Sequence, residues 1–443
     1  MNNVFGEMFN YFVMRKTVMY LSSIKPRYFM LLVYLFLIAG ATSCRDDHFE
    51  SDLTDDSIQL SKAELIQQAL SRMPQTRGDN PNAVVMVTIK NTVNFRCWAL
   101  DSMVIHWGDA STTSMTQKIP NVNYSHTYTD GKPSHLIYIS GSKQSIRNLL
   151  VGDNGLIFLD ISYNENLMVL NCTNNHLDEV GWTGCSGLQY LYVANNELAT
   201  IEVSHLIMLQ GLDVKENRLT SLNVSKNQKL ARLWIGKNQI TDLDISENPN
   251  LFILEMENNP ISSLDLTQHV DMATLNVSCT LIKKLDLRRN TKLQYLSLEG
   301  LSLETFNNHP VDDMSFSIYP QLKQLNVAYT PYTALDLFYN PLIQDINISG
   351  TEISRLDIAD LSVKYLSASY SKLTSLIYTP NSLANLYELR IERTPFEKDE
   401  SVLDFALVLP SRSEEEPGHL YSYSPYLDSL ASCLKDMNWL INQ

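Results

Sequence analysis

Five aspartates stand at the same place in successive or near-successive segments of the sequence and are the first candidates for chemistry: Asp244, Asp265, Asp286, Asp336 and Asp357. Stacked carboxylates repel one another, so such a column needs lysine neighbours, backbone donors or a cation such as Ca²⁺, which prefers oxygen ligands. Lys283 and Lys284 flank only one of the five. We interpret the column as turn chemistry in preference to calcium binding, and we predict neither a metal ion nor any other cofactor.

Motifs for catalysis are absent from the chain. The nine histidines form no H-E-x-x-H pair, and there is neither a G-x-S-x-G elbow nor a phosphate-binding glycine loop. The six cysteines are scattered without a C-x-x-C pair, which argues against a zinc site and a disulfide scaffold. The sequence therefore predicts that the protein is not an enzyme. An enzyme would need acidic residues that converge only in the folded chain.

Composition limits the classes of protein further. The 443 residues include 49 acidic and 34 basic side chains, a formal net charge of −15. A nucleic-acid-binding protein would carry a basic face to neutralise phosphates, so no nucleic-acid partner is expected. With 44% hydrophobic residues, the chain can bury a large core.

The N-terminal segment has the features of a secretion signal. Lys25 and Arg27 precede an apolar run over residues 28–40, which is shorter than the roughly 20 residues that span a bilayer. The run ends at Ala41-Thr42-Ser43-Cys44, which resembles a bacterial lipobox. This resemblance implies cleavage after residue 43 and attachment of lipid to Cys44. The alternative is an ordinary signal peptide followed by an incidental cysteine.

Cys44 is followed by Arg45 and then by a series of acidic residues that begins with Asp46-Asp47. They resemble the surface-export signal of Bacteroidetes-type lipoproteins, which implies an outer-membrane protein facing the cell exterior. An acidic flexible tether is compatible with that interpretation. The mature chain would contact the membrane only through its lipid anchor, because its acidic charge repels anionic lipids.

A short helix is expected within this tether, which we place at residues 44–82. Ser61 and Glu64 have capping-box spacing, and apolar residues recur at helical intervals up to Met73, before Pro74. The spacing predicts a helix from Ser61 to Met73.

Apolar and polar residues then alternate, which predicts a small β-sandwich over residues 83–144. The strands expected are 85–89, 103–107, 124–128 and 136–139, with turns at Gly108-Asp109 and Asp130-Gly131. Trp107-Gly108-Asp109 followed by His126-Thr127-Tyr128 resembles the polycystic-kidney-disease (PKD) family of β-sandwiches, although Ala110 replaces that motif's second glycine. The resemblance implies a spacer or interaction module that presents the rest of the chain.

A repeat dominates the remaining sequence. The unit L-x-x-L-x-V-x-x-N-x-L-x-x-L-D-V-S-x-N-x-x begins at Leu167 and recurs every 21 residues up to Leu293, then resumes at Leu322 after an insertion. It resembles the leucine-rich repeat (LRR) family, in the 21-residue form of bacterial surface lipoproteins. One turn cannot bury its own leucines, so stacking must build the core.

The ninth position of the unit carries an amide in the first five turns: Asn175, Asn196, Asn217, Asn238 and Asn259. A buried amide can satisfy backbone groups of adjacent turns, so we predict a structural ladder. Hydroxyl residues mostly replace it from Thr280 onward, which suggests a change of curvature near residue 300. The second half of each turn also contains a leucine, such as Leu222. This predicts that the side of the solenoid opposite the main sheet is also largely extended.

The predicted fold is mainly β. It comprises the small β-sandwich, a curved solenoid of about 11 turns over residues 145–395 and a short helical cap over residues 396–443. Helical spacing in 402–409 and 427–434 supports the cap, and Trp439 follows it.

Outward positions of the main sheet are the candidate binding surface. Five of them carry the residue types enriched at binding hot spots: Tyr190, Tyr192, Arg232, Trp234 and Tyr295. The sequence predicts a lipid-anchored cell-surface module that binds a host or bacterial protein, as an adhesin or adaptor-type scaffold. Glycan capture for polysaccharide uptake is the alternative, since aromatic rings also stack on sugars. Cross-strand pairing without a ligand is a third interpretation.

Overall fold

The computed structural model describes residues 60–73, 83–116, 119–310 and 315–442. The predicted signal peptide, the lipid-attachment residue Cys44 and the acidic stretch behind it lie outside these residues. From Gln59 onward the chain forms one compact unit.

The N-terminal part is a β-sandwich. Its eight strands are β1 Val84–Thr88, β2 Thr92–Ala99, β3 Met103–His106, β4 Thr112–Met115, β5 Val122–Thr127, β6 His135–Ser140, β7 Ile146–Leu150 and β8 Leu156–Asp160. Strand β2 alternates buried and more exposed residues, whereas β1 is buried on both faces because it packs on a helix as well as on the core. One antiparallel sheet has the order β4-β3-β6-β1-β8, and β7-β2-β5 faces it. The four predicted strands form, within about two residues of their expected bounds, as β1, β3, β5 and β6. The other four, β2, β4, β7 and β8, were not predicted as strands of the sandwich.

Residues of the Trp-Gly-Asp and His-x-Tyr motifs meet in this sandwich. The Trp107 ring stacks on His126 with centroids 4.8 Å apart, and the Tyr128 hydroxyl donates to the Trp107 carbonyl at 2.8 Å. Asp109 accepts from Ser111 and lies 2.7 Å from Nε2 of His126. Hydrogen bonds from Ser111 and His126 outweigh the effect of burial and hold the pKa of Asp109 at about 2.

The predicted short helix forms as α1, Lys62–Leu70, with Ser61 as N-cap and the reciprocal Ser61–Glu64 capping box. Its apolar face, including Leu65 and Ala69, packs on Val85 and Val87 of β1. The helix therefore belongs to the folded unit and is not part of a free tether.

The repeats build one long parallel sheet. After β7, its strands are β9 Val169–Asn171, β10 Tyr190–Tyr192, β11 Gly211–Asp213, β12 Arg232–Trp234, β13 Ile253–Glu255, β14 Thr274–Asn276, β16 Tyr295–Ser297, β19 Gln324–Asn326, β20 Asp345–Asn347, β22 Tyr365–Ser367, β24 Glu388–Arg390, β25 Gly418–Tyr421 and β26 Trp439–Asn442. Within the described residues the solenoid has about 14 turns. The prediction of about 11 was therefore too low, because it omitted β7, β25 and β26.

Sandwich and solenoid share a sheet and a core. Strand β7 pairs antiparallel with β2 on one side and parallel with β9 on the other. Buried side chains of both parts belong to one hydrophobic cluster. The boundary expected between residues 144 and 145 thus falls within continuous structure, and the sandwich covers the first end of the repeat core.

Asparagine side chains tie successive turns together. The Nδ2 of Asn217 donates to the carbonyls of Val193 in the preceding turn, at 3.0 Å, and Val214 in its own, at 3.1 Å. Its Oδ1 accepts from the N–H of Leu198 at 3.0 Å. Equivalent bonds surround the other four predicted ladder residues, Asn175, Asn196, Asn238 and Asn259.

A second amide ladder, which sequence analysis missed, lies in the other half of the turn. Asn227, Asn248, Asn290 and Asn340 are fully buried and donate to two backbone carbonyls each. The repeat unit contains this position as the Asn of its S-x-N segment, which was the available signal.

The side opposite the main sheet is less regular than predicted. Leu222 and its equivalents point inward, but strand pairing there is confined, among the described residues, to two small sheets. These contain β15 Lys284–Leu285, β17 Thr305–Phe306 and β18 His309–Pro310, and β21 Arg355–Asp357 with β23 Ser375–Ile377. At Asp244, Asp265 and Asp336 the backbone N–H two residues ahead bonds to the aspartate side chain.

The C-terminal segment combines helices with strands. Helices α2 Pro380–Leu383, α3 Ser401–Leu407 and α4 Ala431–Asp436 accompany β25 and β26. The predicted helical spacing near residues 402 and 431 is confirmed. Trp439 follows the last helix, as expected; it begins β26 and is 2% exposed.

Candidate functional site

The outward side chains of the parallel sheet form a surface that we call the sheet face. Because the strands are in register, equivalent residues form rows across it. One row runs Tyr190, Gly211, Arg232, Ile253 and Thr274, and the next runs Tyr192, Asp213, Trp234, Glu255 and Asn276. Neighbouring residues in a row lie at about the 4.8 Å strand spacing.

An aromatic group occupies the sheet face on β10 and β12. The rings of Tyr190 and Tyr192 are nearly parallel, with centroids 6.4 Å apart and an interplanar angle of 6°. Gly211, between β10 and β12, leaves room for them. A Cβ at Gly211 would lie 2.9 Å from Cδ1 of Tyr190 and 3.9 Å from Cζ3 of Trp234. Tyr190 and Tyr192 on one turn and Trp234 two turns further on are thus brought together across Gly211, and all three remain partly exposed.

A buried charge network adjoins this aromatic group. The Lys215 ammonium lies 2.7 Å from Oε2 of Glu255 and 3.2 Å from Oε1 of Glu257. The bridge passes over Gly236, where a Cβ would clash with the Glu257 carboxylate. Burial lowers the pKa of Lys215, but the two glutamates outweigh it and the net pKa is raised.

Asp213 lies between the rings in its row, with Tyr192 on one side and Trp234 on the other. Its carboxylate accepts a hydrogen bond from the backbone N–H of Lys215 at 3.2 Å. Burial raises the pKa of this carboxyl to about 6; Lys215 opposes the shift, and Glu255 and Glu257 reinforce it. Alternation along the strands also directs these charged positions outward, but sequence analysis did not select them as candidate binding residues.

The other two predicted face residues differ in accessibility. The Arg232 guanidinium lies 5.0 Å from the centre of the Phe252 ring, and its side chain is half-buried. Tyr295 is 5% exposed and covered by its neighbours, so its expected place on an accessible surface was wrong. In a parallel sheet each outward side chain is flanked by two strands, and large neighbours can cover it.

A second group of aromatic and arginine side chains lies at the C-terminal end of the sheet face and was missed. The Arg390 guanidinium lies 4.0 Å from the Tyr421 ring centre, and Arg412 lies 4.0 Å from that of Tyr387. Tyr387 also stacks near Tyr365 at 6.4 Å. Arginine–aromatic pairs at this distance hold the side chains in place. The outward repeat position of Tyr365 was the signal available in the sequence, whereas Tyr387 directly precedes β24 and has no such signal.

The aspartate column makes turns. Oδ1 of Asp244, Asp265, Asp286, Asp336 and Asp357 accepts the backbone N–H two residues ahead, at 2.9–3.1 Å. Asp286 also pairs with Arg288, and these hydrogen bonds lower its pKa. Backbone donors therefore provide the compensation that the column requires.

Two further findings concern only the part of the chain that the structure describes. In these residues no group of three or more His, Cys, Asp or Glu side chains is arranged to hold a metal ion. None of the helices described is both long and apolar enough to cross a membrane.

No protein-family model and no curated protein matches the sequence. Among solved structures, an internalin (inlF) from Listeria monocytogenes is similar over 68% of this chain and 88% of its own, with 19% identity and a TM-score of 0.53. The functional domain of InlJ from Listeria monocytogenes matches at 22% identity and a TM-score of 0.47, over 58% of this chain. This chain covers 61% of the InlJ chain, less than two thirds of it.

YopM from Yersinia pestis, a leucine-rich effector protein, matches at 19% identity and a TM-score of 0.45, over 62% of this chain and 76% of its own. The internalin similarity and the repeat geometry together show that this chain has the leucine-rich-repeat fold. At this level of identity the similarity concerns the fold alone.

Proposed function

We propose that this chain is a lipid-anchored cell-surface protein-binding module, an adhesin or protein–macromolecule adaptor, that uses the sheet face for recognition. The observation that carries the proposal is the partly exposed aromatic group Tyr190, Tyr192 and Trp234 beside a preformed charge network. Rigid aromatic side chains next to fixed charges are typical of binding hot spots.

The location rests on the sequence around Cys44. The lipobox resemblance and the acidic residues that follow support anchorage in the outer membrane with the solenoid facing outward. Labelling with an alkyne fatty acid tests the anchor. We expect label on the parent chain and none on Cys44→Ser, and protease treatment of intact cells should remove the solenoid.

A binding screen tests the recognition surface. The full chain, in detergent, is presented to extracellular proteins of hosts and of neighbouring bacteria, alongside Trp234→Ala and Tyr192→Ala. Phe338→Ala is the matched control, because Phe338 is 69% exposed in a turn outside the sheet. The proposal expects a protein ligand that both face variants lose and the control retains. A ligand bound equally by all four proteins would place recognition elsewhere.

Glycan capture is a second candidate, favoured by the parallel rings of Tyr190 and Tyr192. Sugar rings stack on aromatic faces with little help from charge, so such binding should survive high salt. A glycan array included in the same screen decides between the two candidates. A glycan hit lost in Tyr192→Ala, with no protein hit, would favour polysaccharide capture.

A further inference from the structure

We propose that the sheet face accepts an arginine side chain of its protein partner, stacked on the Trp234 ring with its guanidinium directed to Asp213. This inference rests on the proposed function and deepens it by naming the chemistry of the partner. Its basis is the row in which aromatic and acidic residues alternate: Tyr192, Asp213, Trp234 and Glu255.

The row places a carboxylate on each side of the Trp234 ring. Asp213 and Glu255 occupy the same register position on the strands before and after that of Trp234. A cation over an indole face is attracted by the ring, and guanidinium, which is planar, stacks on it. A carboxylate at about one strand spacing from the ring can accept the guanidinium N–H groups at the same time.

Charge complementarity selects a cationic partner. Asp213, Glu255 and Glu257 supply three carboxylates. Lys215 supplies one ammonium, which forms ion pairs with the two glutamates, and Arg232 on β12 adds a second positive charge, so one negative charge remains in excess. Asp213 accepts a hydrogen bond from the backbone N–H of Lys215, and the positive charge of Lys215 also acts on its carboxylate. The excess negative charge lies in a half-buried region, where it is poorly screened.

The side chains around Asp213 are held in position before any ligand arrives. Lys215 crosses Gly236 to fix Glu255 and Glu257, and Gly211 lets Tyr190 and Trp234 approach each other. Preorganised side chains lose little freedom on binding, so each contact contributes more to affinity.

The test measures binding of the full chain to an acetylated, amidated octapeptide of alternating glycine and arginine. The control peptide carries citrulline, which has arginine's shape without its charge. We expect binding of the citrulline peptide to be at least about tenfold weaker, and Asp213→Asn and Trp234→Leu to lower affinity for the arginine peptide about fivefold each. Glu299→Gln removes another carboxylate of the same face and should change affinity less than about twofold.

Equal affinity for the two peptides, or for Asp213→Asn and the parent chain, would overturn the inference. So would a ligand that depends on Trp234 and ignores Asp213, such as a glycan. The same variants separate this inference from the proposed function. If a protein partner is lost in Trp234→Ala but bound normally by Asp213→Asn, the sheet face remains the recognition surface and the arginine assignment fails. If neither change affects any partner, the proposed function itself fails.

Discussion

Lys215 and Glu255 form an ion pair of 2.7 Å although a complete turn of the solenoid separates them. The intervening turn contributes Gly236, whose missing side chain leaves the path open. The sheet face is therefore shaped as much by its glycines as by its charged residues. Removing one partner of a buried ion pair costs more stability than the intact pair contributes, because the other charge is left without a partner.

Gly236→Ala should disturb this network. A Cβ at this position clashes with the Glu257 carboxylate, so the carboxylate must leave Lys215, and we expect the free energy of unfolding to fall by about 1–2 kcal/mol. Denaturant unfolding of the variant and the parent chain measures this change in the free energy of unfolding. In Gly236→Ala combined with Glu257→Ala the clash is gone, so the two changes should be non-additive. Additive effects would show that Glu257 does not occupy the space above Gly236 in solution.

Asn217→Leu tests the amide ladder. The change leaves the N–H of Leu198 and the carbonyls of Val193 and Val214 without their side-chain partner, in a fully packed interior. We expect a loss of about 3 kcal/mol in the free energy of unfolding, since buried unpaired groups cost about 1–3 kcal/mol each.

The control for this prediction is Asn250→Ala. Asn250 is exposed and makes one hydrogen bond, to the carbonyl of Gln228 at 3.0 Å, so its loss should cost below about 0.5 kcal/mol. Similar losses at Asn217 and Asn250 would refute a special role for the ladder.

The repeat period was enough to predict the solenoid and the ninth-position ladder, because both depend on residues at fixed spacing along the chain. The last two turns could not be predicted in this way. Leu420 and Ile441 take the inward positions in β25 and β26. These two residues are 21 positions apart, but 31 positions separate Leu389 of β24 from Leu420, so the repeat is interrupted before β25. Pairing between β24 and β25 keeps the sheet continuous where the repeat is interrupted. This pairing is not visible in the sequence pattern.

The binding surface was predictable in outline only. Alternation correctly directs Tyr190 and Tyr192 outward, and the same rule applied to Tyr295 fails because neighbouring turns bury it. The contact between Lys215 and Glu255 joins residues 40 positions apart over a glycine, which no short-range pattern reveals. Long-range side-chain geometry therefore accounts for the part of the site that sequence analysis missed.

Asp109→Asn should destabilise the sandwich in a pH-dependent manner. The pKa of Asp109 is about 2, below its ordinary value of 3.8, so its stabilisation is complete above pH 4 and is lost as the pH falls toward 2. We expect the free energy of unfolding at pH 7 to fall by about 2 kcal/mol. Unfolding of both proteins between pH 7 and pH 3 provides the measurement. A loss that does not shrink at the acidic end would exclude the contribution of Asp109 ionisation.

Chelation should leave the thermal stability unchanged. The aspartate column is satisfied by backbone N–H groups, so we expect EDTA and added CaCl2 to shift the Tm by less than about 1 °C. Asp265→Ala should still cost about 1 kcal/mol through the lost turn hydrogen bond. A calcium-dependent rise in Tm that disappears in Asp265→Asn would contradict the turn interpretation.

Asp213→Asn should stabilise the protein at neutral pH. The pKa of Asp213 is about 6 in the folded chain against an ordinary value of 3.8, so the unfolded chain ionises first and stability is lost as the pH rises from about 4 to about 6. The charged groups that act on it are Lys215, Glu255 and Glu257, with Tyr192 alongside. Asparagine can still accept from the N–H of Lys215 but does not ionise. We therefore expect a gain of up to about 2 kcal/mol at pH 7.5 and almost none at pH 4.

Denaturant unfolding of the two proteins at pH 7.5 and pH 4 checks this expectation, and an equal difference at both pH values would contradict it. The result bears directly on recognition. A carboxylate that lowers the stability of its own fold has no structural reason to be charged, whereas an arriving guanidinium would lower its pKa again and recover that energy on binding. Arginine-peptide affinity should accordingly fall several-fold between pH 7.5 and pH 5 in the parent chain, and it should vary much less in Asp213→Asn.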